Sequence, residues 1–481
     1  MIEKNVKTKK SLLTIEEVLE ATGGIHVLGN GEFCFTTVQT DSRNVDKDCL
    51  FVPLIGENQD GHNYVKSAIE NGASVVFVCL KNYEKTPQYF TEISLKNPEI
   101  FFIGVENTLI ALQQIAECYV SHFPNLIRIG ITGSSGKTTT KEICASILKQ
   151  KYSVVTNKGN LNSETGLPLS VFEIRPEHQL GIFEMGMNRE NEIAELSRIL
   201  KPRLAIITNI GSAHIGKLGN RENIAKEKAR IFDYFKGIGT AFIPKNDDFS
   251  SYLKSQVDGN VIFYGDDCDS AIRFDSDLGL EGTSFFVDDK KVILNLPGKY
   301  NYSNALSAIA VAKFLGLNTE QIVCGIENVK GLFGRSEILH GNYTIIQDCY
   351  NANPDSMEKA IEFASSLQLK NGQKLFIVLG DMLELGDSEK ECHEKIGKQL
   401  SELKDSICLF CGKRMDAAYK EMLKVANPEN LFAIQENDDS AIEKIVQFIK
   451  GKIQKDDIVL IKASRSMQLE RITELLECKN V

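Results

Sequence analysis

The chain has 481 residues, of which 42% are hydrophobic and 25% are charged, and its formal net charge is −10. This length predicts about three domains, and the acidic balance argues against nucleic-acid binding, which needs clustered lysine and arginine. No apolar run reaches the roughly 18 residues of a membrane-spanning helix, and no charged start followed by an apolar core predicts a signal peptide.

The twelve cysteines are scattered without a disulfide framework, most of them in apolar stretches. This usage predicts buried reduced thiols in a cytoplasmic protein. Cys408 and Cys411 form a close pair, but they lie in an apolar run that reads as a strand, and no second pair accompanies them. We therefore do not expect a zinc or redox site there.

The first part of the chain predicts a small α/β domain over residues 1–107. One helix is expected within it at Tyr64–Asn71. A second helix, at Thr108–Phe123, is expected to begin the next domain, and Pro124 ends it. Its short strands are expected at Phe35–Gln39, Leu50–Leu54, Ser74–Cys79 and Ile100–Val105.

Residues 108–331 predict a central domain in which strands alternate with helices, a pattern typical of a doubly wound parallel sheet. Between Val261 and Leu296 short strands with aspartate and glycine turns predict an antiparallel appendage, followed by a helix at Ser303–Leu315. The parallel strands are expected at Leu126–Ile131, Ser153–Thr156, Gly181–Glu184, Leu204–Thr208 and Thr240–Ile243.

Residues 332–481 predict a third, Rossmann-like domain, because β/α alternation resumes at Tyr343. No G-x-G-x-x-G follows its first strand, so no nicotinamide cofactor is expected. Its strands are expected at Thr344–Gln347, Leu375–Leu379, Ile407–Cys411, Leu431–Ile434 and Ile458–Lys462.

The most informative motif lies at the start of the central domain, where Gly133-Ser134-Ser135-Gly136-Lys137-Thr138-Thr139 joins an apolar strand to a helix. Backbone N–H groups of such a loop and the positive end of the helix dipole surround a phosphate. Lys137 supplies charge for the outer phosphates and Thr138 a hydroxyl for Mg²⁺. The standard pattern has glycine where Ile131 stands, but its core is intact, so the loop predicts a nucleoside triphosphate, most simply ATP.

Three further positions carry polar groups beside predicted strands or on a helix. Glu184 ends a strand, where a carboxylate can hold Mg²⁺ or merely face solvent. His214 follows the next strand and a glycine turn, and is either a ligand or base or an ordinary histidine. Lys228 lies on a helix whose lysines would normally form a solvated face.

Taken together these positions resemble the Mur ligase family, the ATP-dependent amide-bond ligases of peptidoglycan precursor synthesis. The resemblance covers nearly the whole chain. Its stretches are Gly130–Glu142, Thr156–Leu169, Glu184–Ile193, Thr208–Gly219, Ile224–Phe232, Leu296–Ala310, Gly334–Glu337, Asp348–Met357 (DCYNANPDSM), Leu379–Gly386 (LGDMLELG) and Lys462–Arg465.

The resemblance implies roles for individual residues. Lys137 and the loop amides would bind the phosphates of ATP, and Asn301, Arg335 and Asp348 would contact the nucleotide. Thr138 and Glu184 would hold one Mg²⁺, and His214 with a carbamylated Lys228 a second. Lys137, His214 and Lys228 are the expected catalytic residues. The implied substrate-binding residues are Asp41, Ser42, Arg43, Asn160, Asn162, Asn351, Asn353, Lys462, Ser464 and Arg465.

DCYNANPDSM and LGDMLELG are most similar to the family branch that adds a D-alanyl-D-alanine dipeptide to UDP-N-acetylmuramoyl-tripeptide. This implies those two small-molecule substrates, a monomer, and no insertion into a membrane. Two other readings stay open: a sibling ligase that adds a single amino acid, and a non-catalytic scaffold gated by nucleotide. Tyr300 stands where the family usually has histidine, and we expect it to stack on adenine instead; Ser163, Gln347 and Ala463 are further departures.

Overall fold

The computed structural model describes residues 10–367, 369, 372–403 and 406–476. The chain forms two compact units. The first comprises the part up to Gly130 with Ser153–Gly186 and Glu192–Arg203. The second comprises Ile131–Tyr152, Met187–Asn191 and the described chain from Leu204 onward. Each unit is an α/β structure with parallel strands, which confirms the predicted fold class.

The strands are numbered here in chain order. They are β1 Ile25–Leu28, β2 Thr37–Gln39, β3 Cys49–Phe51, β4 Ala73–Cys79, β5 Phe101–Val105, β6 Ile127–Thr132, β7 Val154–Thr156, β8 Leu180–Glu184, β9 Leu204–Ile207, β10 Gly239–Pro244, β11 Gly259–Tyr264, β12 Ile272–Asp277, β13 Thr283–Val287, β14 Lys290–Leu294, β15 Glu337–His340, β16 Thr344–Asp348, β17 Leu375–Gly380, β18 Ile407–Cys411, β19 Leu431–Ile434 and β20 Ile458–Lys462.

The helices are numbered in the same way. They are α1 Ile15–Thr22, α2 Val65–Asn71, α3 Leu80–Lys85, α4 Pro87–Lys96, α5 Thr108–Ser121, α6 Lys137–Leu148, α7 Gly166–Val171, α8 Glu192–Leu200, α9 Ile215–Leu218, α10 Arg221–Ala229, α11 Ser250–Ser255, α12 Lys299–Phe314, α13 Thr319–Glu327, α14 Pro354–Ser366, α15 Glu389–Leu400, α16 Asp416–Met422, α17 Asp439–Lys450 and α18 Glu470–Leu475.

The first unit contains a five-stranded sheet in the order β1-β5-β4-β3-β2. Strands β2 to β5 run parallel, as predicted, and β4 is an almost wholly buried run of valine and phenylalanine. Strand β1 is an addition that the sequence analysis missed, and it pairs antiparallel with β5 at the sheet edge. Its first two residues are exposed, so it lacks the apolar pattern that marks its neighbours.

The second unit contains the parallel set β9-β10-β11, the antiparallel sheet β12-β13-β14 and a six-stranded sheet in the order β15-β16-β20-β17-β18-β19. The antiparallel appendage is confirmed for β12 to β14. The prediction that the appendage begins at Val261 was wrong, because β11, which contains Val261, pairs parallel with β10 over its whole length. Strand β11 is half exposed and reads locally like a hairpin strand, so only its pairing partner decides its direction.

The six-stranded sheet has a core on each face, as a Rossmann-like arrangement requires. Ile377 and Leu379 pack on one face and Phe376 and Val378 on the other, because successive side chains of a strand point to opposite sides. Strand β15 pairs antiparallel with β16 and was not predicted. None of the eleven described cysteines forms a disulfide.

Cys408 and Cys411 do not meet. Cys408 belongs to the core on one face of this sheet and Cys411 to the core on the other. Burial raises the pKa of Cys408 to about 11 and that of Cys411 to about 12, so both are inert thiols. None of the helices in the described residues is long and apolar enough to cross a membrane.

Candidate active site

The predicted phosphate loop lies between β6 and α6, in the second unit. Gly136 precedes α6 with φ +77°, and Gly133 has φ +154°. A methyl group on Gly133 would lie 1.8 Å from Thr208 Oγ1, and one on Gly136 2.4 Å from Asn304 Oδ1. Both positions therefore require glycine, for conformation and for space.

The loop is fixed by the segment that follows β9. The Ser134 N–H donates to the Asn209 carbonyl at 3.1 Å, and the Ser135 N–H donates to Asn209 Oδ1 at 3.1 Å. The Thr208 hydroxyl and the Asn209 amide both donate to the Ser135 carbonyl, at 2.6 and 3.0 Å. From the sequence, only His214 of this segment was expected to have a role. The polar pair Thr208 and Asn209 directly after a buried strand was the signal that the segment also holds the phosphate loop.

Lys137 is the first residue of α6. Its Nζ donates to the Gly133 carbonyl at 2.8 Å, so the side chain folds back over the phosphate loop. Thr138 is buried in the first turn of α6. A cation above a ring of backbone N–H groups at a helix N-terminus is an arrangement that binds phosphate.

A pocket beside α6 brings together three predicted nucleotide-binding residues, Thr139, Asn301 and Arg335. Asn301 is buried near the start of α12, where its amide donates to the Pro297 carbonyl at 2.8 Å and its Oδ1 accepts from Asn304 at 3.1 Å. The Arg335 guanidinium lies over the Tyr350 ring, 4.2 Å from its centroid. The remaining lining residues are Glu142, Leu296, Val329, Lys330 and Leu332.

Tyr300, expected to stack on adenine, packs against the core that contains Ile377 and Leu379. Its hydroxyl is 2.6 Å from Ser336 Oγ. Burial raises the pKa of Tyr300, so this hydroxyl is neutral. The Tyr300–Ser336 contact joins the start of α12 to the segment that carries Arg335.

Lys228 lies on α10 and is one of the largest fully buried side chains. Burial lowers the pKa of Lys228 well below its ordinary value, and the positive charge of Lys137 acts in the same direction, while Glu227 opposes them. This environment favours the neutral form of the Lys228 amine, and that form is a nucleophile. The solvated reading of this helix face is therefore wrong at Lys228.

His214 follows Ala213 with φ +65° and begins the short helix α9. Its Nδ1 is 2.7 Å from Glu384 Oε2. Burial lowers the pKa of His214; the hydrogen bond to Glu384 opposes this, and the charges of Lys228 and Lys137 add to it. The hydrogen bond to His214 also lowers the pKa of Glu384. Glu384 belongs to LGDMLELG, but the sequence analysis gave it no role.

Asp348 and Lys462 end two neighbouring parallel strands, β16 and β20. Lys462 Nζ lies 2.6 Å from Asp348 Oδ2 and 3.2 Å from the Asn351 carbonyl. Asp348 Oδ1 accepts from the Ser336 N–H at 3.1 Å. The structure thus brings two predicted nucleotide- and substrate-binding residues together in one buried ion pair.

The other predicted residues of this region have local partners. Asn353 caps α14 by accepting from the Ser356 N–H at 2.9 Å. Ser464 Oγ accepts from the Leu383 N–H at 3.0 Å, and Arg465 pairs with Glu470. Asn351 is exposed.

In the first unit, Glu184 ends β8 and is buried. The Asn162 amide donates to Glu184 Oε1 at 2.7 Å, and the Glu184 N–H donates to Asn157 Oδ1 at 2.9 Å. Asn157 lies within the family-like stretch Thr156–Leu169, but no role was predicted for it from the sequence. Asn160 is exposed on the same loop.

Asp41, Ser42 and Arg43 form a single turn of the first unit. Asp41 caps this turn and pairs with Arg43, whose Nη2 lies 2.6 Å from Asp41 Oδ2. The Arg43 side chain is 86% exposed, while Ser42 is buried and its carbonyl accepts from Asn71 at 2.9 Å. The turn therefore offers an exposed guanidinium held in place by a carboxylate.

Comparison with known proteins matches three family models along the chain. They are the Mur ligase family catalytic domain over residues 35–119, the Mur ligase middle domain over residues 131–312 and the Mur ligase glutamate ligase domain over residues 334–465.

Full-length relatives match as well. A UDP-N-acetylmuramoyl-tripeptide–D-alanyl-D-alanine ligase of Treponema pallidum is 38% identical over 97% of this chain and 99% of the relative. The crystal structure of MurF from Acinetobacter baumannii aligns with a TM-score of 0.82 at 30% identity, over 96% of this chain and 98% of that one. MurF of Thermotoga maritima in complex with ADP aligns with a TM-score of 0.75 at 28% identity, over 92% and 97%.

Proposed function

Because the chain belongs to the Mur ligase family, we propose that it joins D-alanyl-D-alanine to the terminal carboxylate of UDP-N-acetylmuramoyl-tripeptide. It is an ATP-dependent amide-bond ligase of peptidoglycan synthesis, and ATP is converted to ADP and phosphate. The observation that carries the proposal is the phosphate loop, in which Gly133 and Gly136 leave no space for a side chain. It lies in a chain that matches a UDP-N-acetylmuramoyl-tripeptide–D-alanyl-D-alanine ligase over 97% of its length.

The phosphate loop accounts for ATP binding. The backbone N–H groups of residues 133–139 and the Lys137 ammonium bind the outer phosphates. Asn301, Arg335 and Asp348 hold the nucleoside end, since Thr139, Asn301 and Arg335 line one pocket next to α6. The Tyr350 ring lies beneath the Arg335 guanidinium, and this cation–π contact stabilises the position of the charge.

The residues suit Mg²⁺ by their donor chemistry. Thr138 and Glu184 offer oxygen ligands, and His214 keeps its second ring nitrogen for a metal because Nδ1 is bonded to Glu384. In its neutral form the Lys228 amine can add CO₂ and release a proton to solvent, which would give a carbamate with two oxygen ligands. Among the described residues, no group of three His, Cys, Asp or Glu side chains could hold a metal ion. The proposed ligands would not form such a group, because only Glu184 and His214 are of these residue types.

The chain's own groups support the reaction in a simple order. The phosphate loop holds the γ-phosphate so that the tripeptide carboxylate can attack it, which gives an acyl phosphate and ADP. Lys137 neutralises charge as the two anions approach. The amine of D-alanyl-D-alanine then attacks the acyl carbon, and the tetrahedral intermediate releases phosphate. Bound Mg²⁺ adds further neutralisation of the phosphate charge.

The substrate ends are assigned by the family resemblance, and Arg43, Asn160 and Asn351 are the assigned residues that are clearly exposed. Asp41, Ser42 and Arg43 bind the uridine end within residues 1–107. Asn160 and Asn162 contact the muramoyl-peptide within the central domain, residues 108–331. The C-terminal domain, residues 332–481, receives the dipeptide through Asn351, Asn353, Lys462, Ser464 and Arg465. The enzyme acts as a monomer in the cytoplasm, where UDP-linked precursors and ATP meet reduced thiols.

Phosphate release by the purified protein tests the proposal directly. ATP, Mg²⁺ and UDP-N-acetylmuramoyl-tripeptide are supplied with D-alanyl-D-alanine, with single amino acids, or without an amine. We expect release that requires the dipeptide, together with a pentapeptide product by mass spectrometry. The Lys137→Met protein is the matched negative control.

The other outcomes separate the two readings left open by the sequence. Release that requires a single amino acid would move the enzyme to a sibling branch of the family. ATP binding without release under any condition would favour a nucleotide-gated scaffold.

A further inference from the structure

Glu384 and His214 come from distant parts of the chain and meet at a single hydrogen bond. Glu384 lies after β17, in the loop that leads to α15, and His214 lies after β9. The distance from His214 Nδ1 to Glu384 Oε2 is 2.7 Å. The His214 side chain is 17% exposed and that of Glu384 43%, so the bond is partly shielded from water.

The backbone around this bond is held in an uncommon conformation on both sides. His214 has φ +65° and Glu384 φ +64°, values that non-glycine residues adopt only when their surroundings impose them. The Gly216 N–H donates to the Glu384 carbonyl at 3.2 Å. A methyl group on Gly216 would lie 2.3 Å from the Gly386 nitrogen, so two glycines let the loops touch backbone to backbone.

A second carboxylate holds the same segment two residues earlier. Asp355 Oδ2 accepts from both the N–H and the hydroxyl of Ser212, at 2.7 Å each. His214 therefore sits between two points of attachment to the C-terminal part of the chain. Its ring can be aimed by the partner of Nδ1.

The partner's chemistry selects the tautomer. A carboxylate only accepts hydrogen bonds, so Nδ1 carries a proton, and in the neutral ring Nε2 then has the lone pair. No hydrogen bond to His214 Nε2 occurs among the described residues. Carboxylates that bond the far nitrogen of a metal-binding histidine fix its tautomer and ring orientation.

We propose that Glu384 is a positioning residue, which holds His214 in the Nδ1–H tautomer and presents Nε2 to the divalent cation that accompanies ATP. This inference rests on the proposed function. Because Glu384 comes from the C-terminal part of the chain, the metal ligand is correctly aimed only while the LGDMLELG loop lies against residues 211–216.

The test compares Glu384→Ala, Glu384→Gln and the control Glu391→Gln, an exposed glutamate on α15. Mn²⁺ affinity is measured by electron paramagnetic resonance with a non-hydrolysable ATP analogue. The His214 tautomer is read from ¹⁵N-histidine NMR spectra, with His214→Gln for assignment. We expect Glu384→Ala to weaken Mn²⁺ binding about 10- to 100-fold and to move the His214 nitrogen shifts toward mixed tautomers.

Glu384→Gln can still accept from Nδ1–H through its amide oxygen, so it is expected to lie between wild type and Glu384→Ala. Glu391→Gln should match wild type in both measurements. Mn²⁺ affinity within twofold of wild type in Glu384→Ala, or unchanged His214 shifts, would overturn the proposal. The NMR measurement needs no turnover, so the two proposals can fail separately. A wild-type protein without ligase activity would refute the proposed function, whereas the NMR spectra would still test whether Glu384 fixes the His214 tautomer.

Discussion

The Lys462 ammonium and the Asp348 carboxylate lie 2.6 Å apart, and the Lys462 side chain is only 2% exposed. The same carboxylate also accepts from the Ser336 N–H, in the segment next to Arg335. The pair therefore links the ends of β16 and β20 to the segment that carries a proposed nucleotide contact.

Lys462→Met should destabilise the protein strongly, because it leaves the Asp348 carboxylate without its cation in a poorly solvated position. We expect a loss of about 3 kcal/mol in the free energy of unfolding, measured by urea denaturation. Lys420→Met is the matched control, since Lys420 pairs with Asp416 at the same 2.6 Å but is 70% exposed. That change should alter stability by only about 0–1 kcal/mol. Equal losses in the two variants would contradict the prediction.

Gly136→Ala should impair nucleotide binding and stability together. Its φ of +77° is unfavourable for alanine by about 1–2 kcal/mol, and the new methyl group would displace the Asn304 side chain, which contacts Asn301. Isothermal titration with ADP reports the binding loss. Gly159→Ala is the control, because Gly159 also has a positive φ of +53° but no atom lies within 4 Å of the added methyl group. If both variants bound ADP equally, the space argument would fail.

Lys137→Met should greatly reduce turnover without unfolding the loop. Removing a preorganised cation from a developing charge lowers kcat by about 10²- to 10³-fold, and ADP release measures this. The exposed Lys149, at the end of the same helix, supplies the control Lys149→Met. The assignment would be wrong if Lys137→Met retained more than a tenth of the wild-type rate.

Lys228→Met should raise stability while it eliminates ligase activity. Burial lowers the pKa of Lys228 in the folded protein, so below its ordinary value of 10.5 the unfolded chain binds the extra proton and the amine destabilises the fold. Methionine removes this effect, and we expect a gain of about 1 kcal/mol or more at pH 7.

The lowered pKa of Lys228 in the folded protein also predicts how the effect of this substitution depends on pH. The destabilisation is present at low and neutral pH and is lost as pH rises toward 10.5, so the difference in melting temperature between Lys228→Met and wild type should narrow between pH 7 and pH 9.5. The metal-free protein is used, with calorimetry at each pH. A difference that widened with pH, or full activity in Lys228→Met, would reject the assigned environment and role.

Much of the secondary structure was predictable from local pattern. Strands β18 and β20 begin and end at the predicted residues, because a strand buried on both faces is a largely continuous apolar stretch. Strands β1 and β15 were missed because edge strands need only partial burial. The predicted direction of β11 was wrong because its parallel pairing with β10, and not its own local pattern, sets that direction.

The sequence by itself determined the phosphate loop, because a glycine turn, a lysine and a threonine between a strand and a helix have one common chemical use. The family and the reaction class followed from the resemblance of many ordered stretches along the chain. Tertiary structure alone decided which groups meet. Lys228 looks solvated on its helix and is buried, Tyr300 reaches Ser336, and Glu384 reaches His214 across 170 positions of sequence. Burial and long-range hydrogen bonds arise only when distant segments pack together, so no local pattern encodes them.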